Sequence, residues 1–196
     1  HFDGTLQQAL KKADCFVFEC DTASQEAQAV IAEMMAAEQP LGELLTAETY
    51  ALLEQTAQKC GISMDRLNAF RPWAVTSALS SQAAAAELRT RSARSALQQG
   101  VEERVRKYVG EKPVHYLETA REQLEVLDGF SPALQDAMVK SVCQQILNPE
   151  ETGSTLAQWP DWWAEGETEP FIHAYEAEND FAEPALTEEY HQGLIT

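Results

Sequence analysis

The chain has no uninterrupted apolar run near the ~20 residues that a bilayer-crossing helix needs, so it offers no candidate transmembrane segment. Basic residues are scarce, with 14 Lys and Arg against 32 Asp and Glu and a net charge of −18. Phosphate backbones and anionic lipid surfaces both recruit Lys and Arg, so this balance argues against nucleic acid as a partner and disfavours docking on an anionic membrane surface. The shortage is greatest at the C-terminal end: Glu150 to Thr196 holds twelve acids and no Lys or Arg, whereas Arg89, Arg91, Arg94, Arg104, Arg106 and Lys107 crowd the middle. Such a split reads as a solvated acidic face paired with the basic middle, or as an acidic surface for a cationic partner. The four cysteines, Cys15, Cys20, Cys60 and Cys143, form no C-x-x-C pair. Five apart on one expected strand, Cys15 and Cys20 point to opposite faces and cannot easily join, so the thiols read as buried small hydrophobes, with a Cys60–Cys143 bridge left open. His115, His173 and His191 show no H-x-H or H-x-x-x-H spacing, which disfavours a closed structural zinc site. Neither a glycine-rich phosphate loop nor an internal repeat is present, and no feature of the residues names a compartment.

What is there is enough for one core. A length of 196 residues with 44% hydrophobic content predicts a single domain, 1–196. Three sub-regions divide it: a first strand with a helical insertion over 1–99, a helix-strand-helix unit over 100–148, and an acidic helical end over 149–196. Two runs favour strand. Cys15–Cys20 is apolar on both faces until Glu19, as expected of a strand covered on both sides, and Pro113–Leu117 is a short β-favouring run.

Helical spacing accounts for most of the rest. An opening helix carries Leu6, Leu10 and Ala13 behind Asp3 or Thr5 as its cap, and Ser24–Gln39 carries Val30, Ile31, Met34 and Met35 on one stripe before Pro40. Thr46 opens the next, stopped at Cys60–Gly61, and Ser63 caps a short turn carrying Met64, Leu67 and Phe70. Pro72 opens a long helix toward Leu88, followed by a charged stretch Arg89–Gln99. Val101, Val105, Tyr108 and Val109 form a helix stopped by Gly110, Thr119 caps one holding Leu124 and Leu127, and Ser131-Pro132 opens one ending at Asn148-Pro149. Trp159, Trp162 and Trp163 are expected to bury against the nearest helix. An amphipathic helix over Glu167–Asp180 and a last one opened by Pro184 or Thr187 complete the count. The fold class is therefore α+β, mainly helical: about eight helices around a small two-stranded sheet, parallel because a long helical crossover separates its strands. Two strands leave unpaired edges, which helices or a second copy of the chain should cover.

A carboxylate closing a buried strand is costly unless paired or metal-bound, which makes Glu19 the leading candidate for chemistry. Glu118, at the end of the second strand and the start of a helix, is the next; the plainer alternative is a solvated acid at a helix N-terminus. Asp21, ahead of Thr22 and Ser24, reads as a cap for the following helix.

Several of these stretches together resemble the TraB/PrgY/GumN family, which includes the Wnt-cleaving TIKI proteases. The resemblance rests on Gly100-Val101-Glu102, Lys112-Pro113-Val114, Leu117-Glu118-Thr119, Gln123 and Leu127-Asp128-Gly129, on the run Leu10–Asp21 ending in Glu19-Cys20-Asp21, and on Phe70-Arg71-Pro72-Trp73. Glu102 stands where the family usually has Asp. The family's metal and catalytic apparatus uses two Gly-x-x-His motifs with an Arg or Arg-Asn element between, and no Gly-x-x-His occurs in this sequence. The resemblance thus implies a central fragment of a larger α/β fold whose sheet it shares in part.

It further implies a metal-dependent hydrolase or protease as parent, with a divalent metal that this fragment is not expected to hold alone and with peptide or protein as substrate. Glu19 is implied as catalytic residue and metal ligand and Glu118 as a catalytic or orienting acid, with Asp21, Glu102, Arg71 and Gln123 as binding residues. An exported or membrane-anchored bacterial parent is the location it suggests. The alternatives are a non-catalytic peptide- or signal-binding module, as the pheromone-shutdown members suggest, and a purely structural helical domain.

Overall fold

The computed structural model of the chain describes residues 4–90, 101–149, 158–178, 181 and 183–194. In order, these form α1 (Gly4–Lys12), β1 (Phe16–Phe18), α2 (Gln25–Met35), α3 (Leu41–Leu44), α4 (Ala47–Cys60), α5 (Met64–Leu67), α6 (Pro72–Thr90) and α7 (Val101–Arg106). Then follow β2 (Val114–Tyr116), α8 (Ala120–Asp128), α9 (Pro132–Leu147), α10 (Trp159–Glu165), α11 (Glu169–Glu178) and α12 (Pro184–Gly193). The class is mainly helical α+β, with twelve helices among the described residues rather than about eight. The excess comes from single-turn helices such as α3 and α5, which are too short to show an apolar period.

The local reasons are readable. Ser24, Thr46, Thr119 and Ser131 each accept a backbone N–H of the first turn that follows, so α2, α4, α8 and α9 all start on hydroxyl caps. At the end of α4, Gly61 adopts φ +69°, the left-handed conformation that closes a helix with least strain on glycine. Thr5, an expected cap, instead lies inside α1; Asp3, the other one, and residues 91–99 of the charged stretch lie outside the described residues.

The main core is a three-helix contact. Leu53 and Ala57 of α4, Val75 and Leu79 of α6, and Val139, Val142 and Cys143 of α9 are sealed together with Leu41, Leu45 and Leu67. A second cluster joins Met34 of α2 to Trp73 and Ala74 of α6, with Leu124 and Leu127 of α8 against it, so the Met34–Met35 pair is core filling. The third gathers Phe130, Leu134 and Phe181, with Tyr190 and Leu186 of α12.

β1 and β2 pair in parallel, with Phe16 opposite Val114 and Phe18 opposite Tyr116. The crossover between them runs through α2 to α7, as the spacing predicts. The strand is covered on one face only: Phe16 and Phe18 are buried while Val17 is 55% exposed, which corrects the expectation of a strand buried on both sides. Cys15 is likewise exposed rather than buried, Cys60 is half-buried, and all four cysteines are free thiols, so Cys60 and Cys143 are not bridged. Lys112 ties this sheet to α1 by donating to the carbonyls of Leu10 and Lys11, where its charge also suits the helix's negative end.

The acidic end packs less than expected. Trp159 and Trp162 meet the Phe171 ring edge-on at 5.5 and 5.6 Å, but Trp163 is 76% exposed, which corrects the expectation that all three indoles bury. Helix α7 ends at Arg106, before Tyr108 and Val109, and its Val101 is solvent-exposed.

Candidate functional site

The two carboxylates leave the sheet side by side. Beyond the paired residues the ladder frays: the Leu117 N–H donates to the carbonyls of both Phe18 and Glu19, and the Glu118 N–H donates to the Glu19 carbonyl at 3.0 Å. Glu19 and Glu118 are thereby level with each other at the end of the strand pair. Helix α8 begins immediately afterwards, fixed by a reciprocal capping box in which Thr119 Oγ1 accepts the Glu122 N–H and the Glu122 carboxylate accepts the Thr119 N–H at 2.7 Å. The first turn of α8 places Gln123 over the strand ends.

Gln123 is the hub. Its Nε2 donates to Glu19 Oε1 at 2.6 Å and to Glu118 Oε1 at 3.2 Å, and its Oε1 accepts the Cys20 thiol at 2.9 Å. The chemistry dictates that orientation: ionised carboxylates only accept, so the amide nitrogen must face them, leaving the amide oxygen for the thiol. The two carboxylate oxygens are no farther apart than those two hydrogen bonds laid end to end. Burial pushes the Cys20 thiol pKa up, and the surrounding charges of Glu19, Glu102, Glu118 and Asp21 push it the same way, which keeps it a proton donor to Gln123. Four acids thus act by charge on one buried thiol that is itself bonded to Gln123.

Glu19 itself is exposed and Glu118 half-buried, so the premise that a buried carboxylate demanded a partner does not hold for Glu19; the pair is drawn together by a shared amide. Asp21 Oδ1 accepts the N–H groups of Ala23 and Ser24, so it shapes the turn into α2 while Ser24 is the helix cap. Glu102 sits on α7, close enough to act on both Cys20 and Arg106 by charge. Arg71 is not in this group. It donates to Asp128 Oδ2 and, through Nε, to the Ala36 carbonyl, and lines a separate recess with Asp128, Pro132 and Gln135 at the far end of α8.

Two residues singled out by no motif complete the surroundings. The Arg106 guanidinium stacks over the Phe18 ring at 4.4 Å and donates to the Tyr116 hydroxyl at 3.4 Å. An open groove of about 430 Å³ runs from Glu118 and Tyr116 past Thr119, Ala120 and Arg121 to Asp21 and Ser24. The only sequence signal for Arg106 is its place in the basic middle, which it shares with five other cations.

A divalent cation does not fit these residues as they stand. No group of three or more His, Cys, Asp or Glu side chains among the described residues is arranged to hold one. The space between Glu19 and Glu118 is spanned by an N–H donor rather than by a further acceptor.

Both turn carboxylates carry a pH consequence. Hydrogen bonds from backbone and hydroxyl groups hold Asp21 and Glu122 below the ordinary carboxylate range. A folded-state pKa that is lowered contributes order that is fully present above the unfolded value and is lost as pH falls through the folded one. Acidification is therefore expected to speed amide exchange at Ala23, Ser24 and Thr119, relative to the α4 and α9 core, as the pH drops below about 4. Equal protection ratios across that range would contradict the capping roles.

The class defined so far is a mainly helical α+β protein with a glutamine-bridged carboxylate pair at the end of a parallel strand pair. The sequence profile described as the TraB/PrgY/gumN family matches residues 1–193, so the chain belongs to that family. Comparison with curated proteins and with solved structures returned no match.

Proposed function

We propose that this chain carries the acidic part of a hydrolase site acting on peptide bonds, with Glu19 as general base and Glu118 as its orienting acid. What supports the reading is one observation: two glutamates just beyond the ends of the two strands share the amide of Gln123, and one of them, Glu118, lines an open groove. In that arrangement Glu19 takes a proton from water as the water oxygen bonds to the carbonyl carbon, then returns it to the departing amine nitrogen. Glu118 holds Gln123, and hence the Glu19 carboxylate, in place.

The parent is proposed to be a longer protein of metal-dependent type. The missing donors would come from outside the described residues, so the steps are assigned to the carboxylates alone. A second reading, a peptide-binding module without chemistry, is favoured by the way Gln123 already satisfies both acids.

The test is peptide hydrolysis by the full-length parent, wild type against Glu118→Ala, which removes the acceptor that holds Gln123. The expected result is a kcat lower by about 10–100-fold with KM little changed, the scale seen when an orienting partner is lost. Equal kcat removes Glu118 from the reading. A wild-type parent that binds peptides without cleaving them makes the binding module the better account.

A further inference from the structure

The groove that reaches Glu118 has walls of two kinds. Val30 of α2, Ala120 of α8 and the Tyr116 ring, which is 39% exposed, give it apolar surface, while Asp21, Glu26 and Glu118 give it negative charge. The three acids are not equivalent. Glu118 is engaged with Gln123 and joins the groove to the carboxylate pair. The N–H groups of Ala23 and Ser24 hold Asp21 below the ordinary carboxylate range, so it stays ionised. Glu26, in the first turn of α2, is exposed and has no hydrogen-bond or ion partner among the described residues.

The surroundings leave that charge largely uncompensated. Arg121 lines the groove but donates to Glu33 Oε1 at 3.3 Å. Arg106 acts on Asp21 by charge and makes no salt bridge to it among the described residues. Donors at the starts of α2 and α8, which would otherwise attract an anion, are already capped by Ser24 and by the Thr119–Glu122 pair. An open groove with apolar walls and ionised carboxylates complements one kind of side chain: a long aliphatic stem ending in a cation, which covers apolar surface while its head stays hydrated.

We infer that this groove selects a Lys or Arg side chain of the bound peptide, with the stem on Val30, Ala120 and Tyr116 and the cationic head facing Asp21 and Glu26. This rests on the reading above that peptide is what the carboxylate pair meets, and it applies to cleavage and to binding alike. Discrimination has two parts. An apolar residue of the same length covers the walls but leaves the carboxylates without a counter-charge, and an acidic residue meets like charge.

The experiment measures, by fluorescence polarisation, binding of the full-length parent to fluorescein-labelled alanine-based peptides that differ at one central residue: Lys, Arg, norleucine or Glu. At low ionic strength the Lys and Arg peptides are expected to bind about 5–10-fold tighter than the norleucine peptide, the scale of two partly exposed ion pairs, and the Glu peptide to bind most weakly. Glu26→Lys is expected to abolish the preference. Asp21→Asn, which keeps an oxygen to accept from Ala23 and Ser24, is expected to reduce it by about half. Glu54→Lys makes the same charge change at an exposed position of α4 and is expected to leave it intact, which separates the groove from the general pull of a chain with net charge −18. Lys and norleucine peptides bound within about twofold of each other, no binding of any peptide, a preference that survives Glu26→Lys, or one that Glu54→Lys removes equally, overturns the assignment. Cleavage of the same peptides is read separately. Hydrolysis with no Lys or Arg preference overturns the groove assignment and leaves the hydrolase reading intact, whereas the preference without hydrolysis overturns the hydrolase reading alone.

Discussion

On the proposed hydrolase reading, Glu19→Gln in a full-length parent is expected to lower kcat/KM by about 10²–10⁴-fold and to leave the thermal midpoint where it was; that range is what a positioned general base contributes. The substitution isolates basicity from shape. Glu19 accepts one hydrogen bond from Gln123 Nε2 at 2.6 Å, and a glutamine at position 19 presents an amide oxygen that can accept the same bond. The side chain is exposed, so neutralising it uncovers no buried partner and costs little stability. Glu19→Ala, by contrast, removes the acceptor and frees Gln123 to turn, so a loss seen with alanine alone would say only that the hub had moved. A Glu19→Gln parent as active as wild type would remove the base from the mechanism, whatever else the groove does.

How much of this was legible before the structure depends on the physics behind each residue. The parallel pairing of the two short strands followed from the length of the crossover, because a parallel neighbour needs a long connection and this chain had one made of helices. The depth of burial did not follow: Val17 reads like any core valine, and only the absence of a covering layer on its side, a tertiary fact, leaves it in solvent. Glu19 was reached by an argument from burial that the exposed side chain does not support. It still lies beside Glu118, because residues next to each other at the ends of adjacent parallel strands are neighbours in space.

Gln123 was visible only through the family's motif. A glutamine in the first turn of a helix carries no signal of what it will bridge. Arg71 shows the converse, since its place ahead of Pro72 and Trp73 marks a helix start, but nothing in that spacing says which end of α8 it will meet. The stacking of Arg106 on Phe18, 88 residues away in sequence, depends on how α7 returns to the sheet, and no local pattern encodes it.

Trp73→Ala is expected to cost about 3–5 kcal/mol, the largest stability loss of any single change considered, and to lower the melting midpoint by on the order of 10 °C. Trp73 is 2% exposed at the centre of the cluster with Met34 and Ala74, and Leu124 and Leu127 of α8 pack against it. Its indole N–H donates to Asp128 Oδ1 at 3.0 Å, while Arg71 holds Oδ2 of the same carboxylate. Truncation opens a cavity and removes one of the two donors on Asp128 together. Trp73→Phe keeps most of the apolar contact and loses the indole donor, so a smaller cost of about 1–2 kcal/mol is expected for it.

The functional weight of this anchor lies in α8 itself. That helix is nine residues long, with Gln123 in its first turn and Asp128 at its end, so the clamp that fixes its C-terminal end also sets where the Glu19–Gln123–Glu118 bridge sits. In chemical denaturation Trp73→Ala should therefore shift the midpoint strongly where Glu19→Gln does not. In the folded fraction it should also raise amide exchange along α8 more than along α4. A midpoint shift worth less than about 1 kcal/mol would mean that the neighbouring side chains close over the gap, and that α8 is held in place by something other than Trp73.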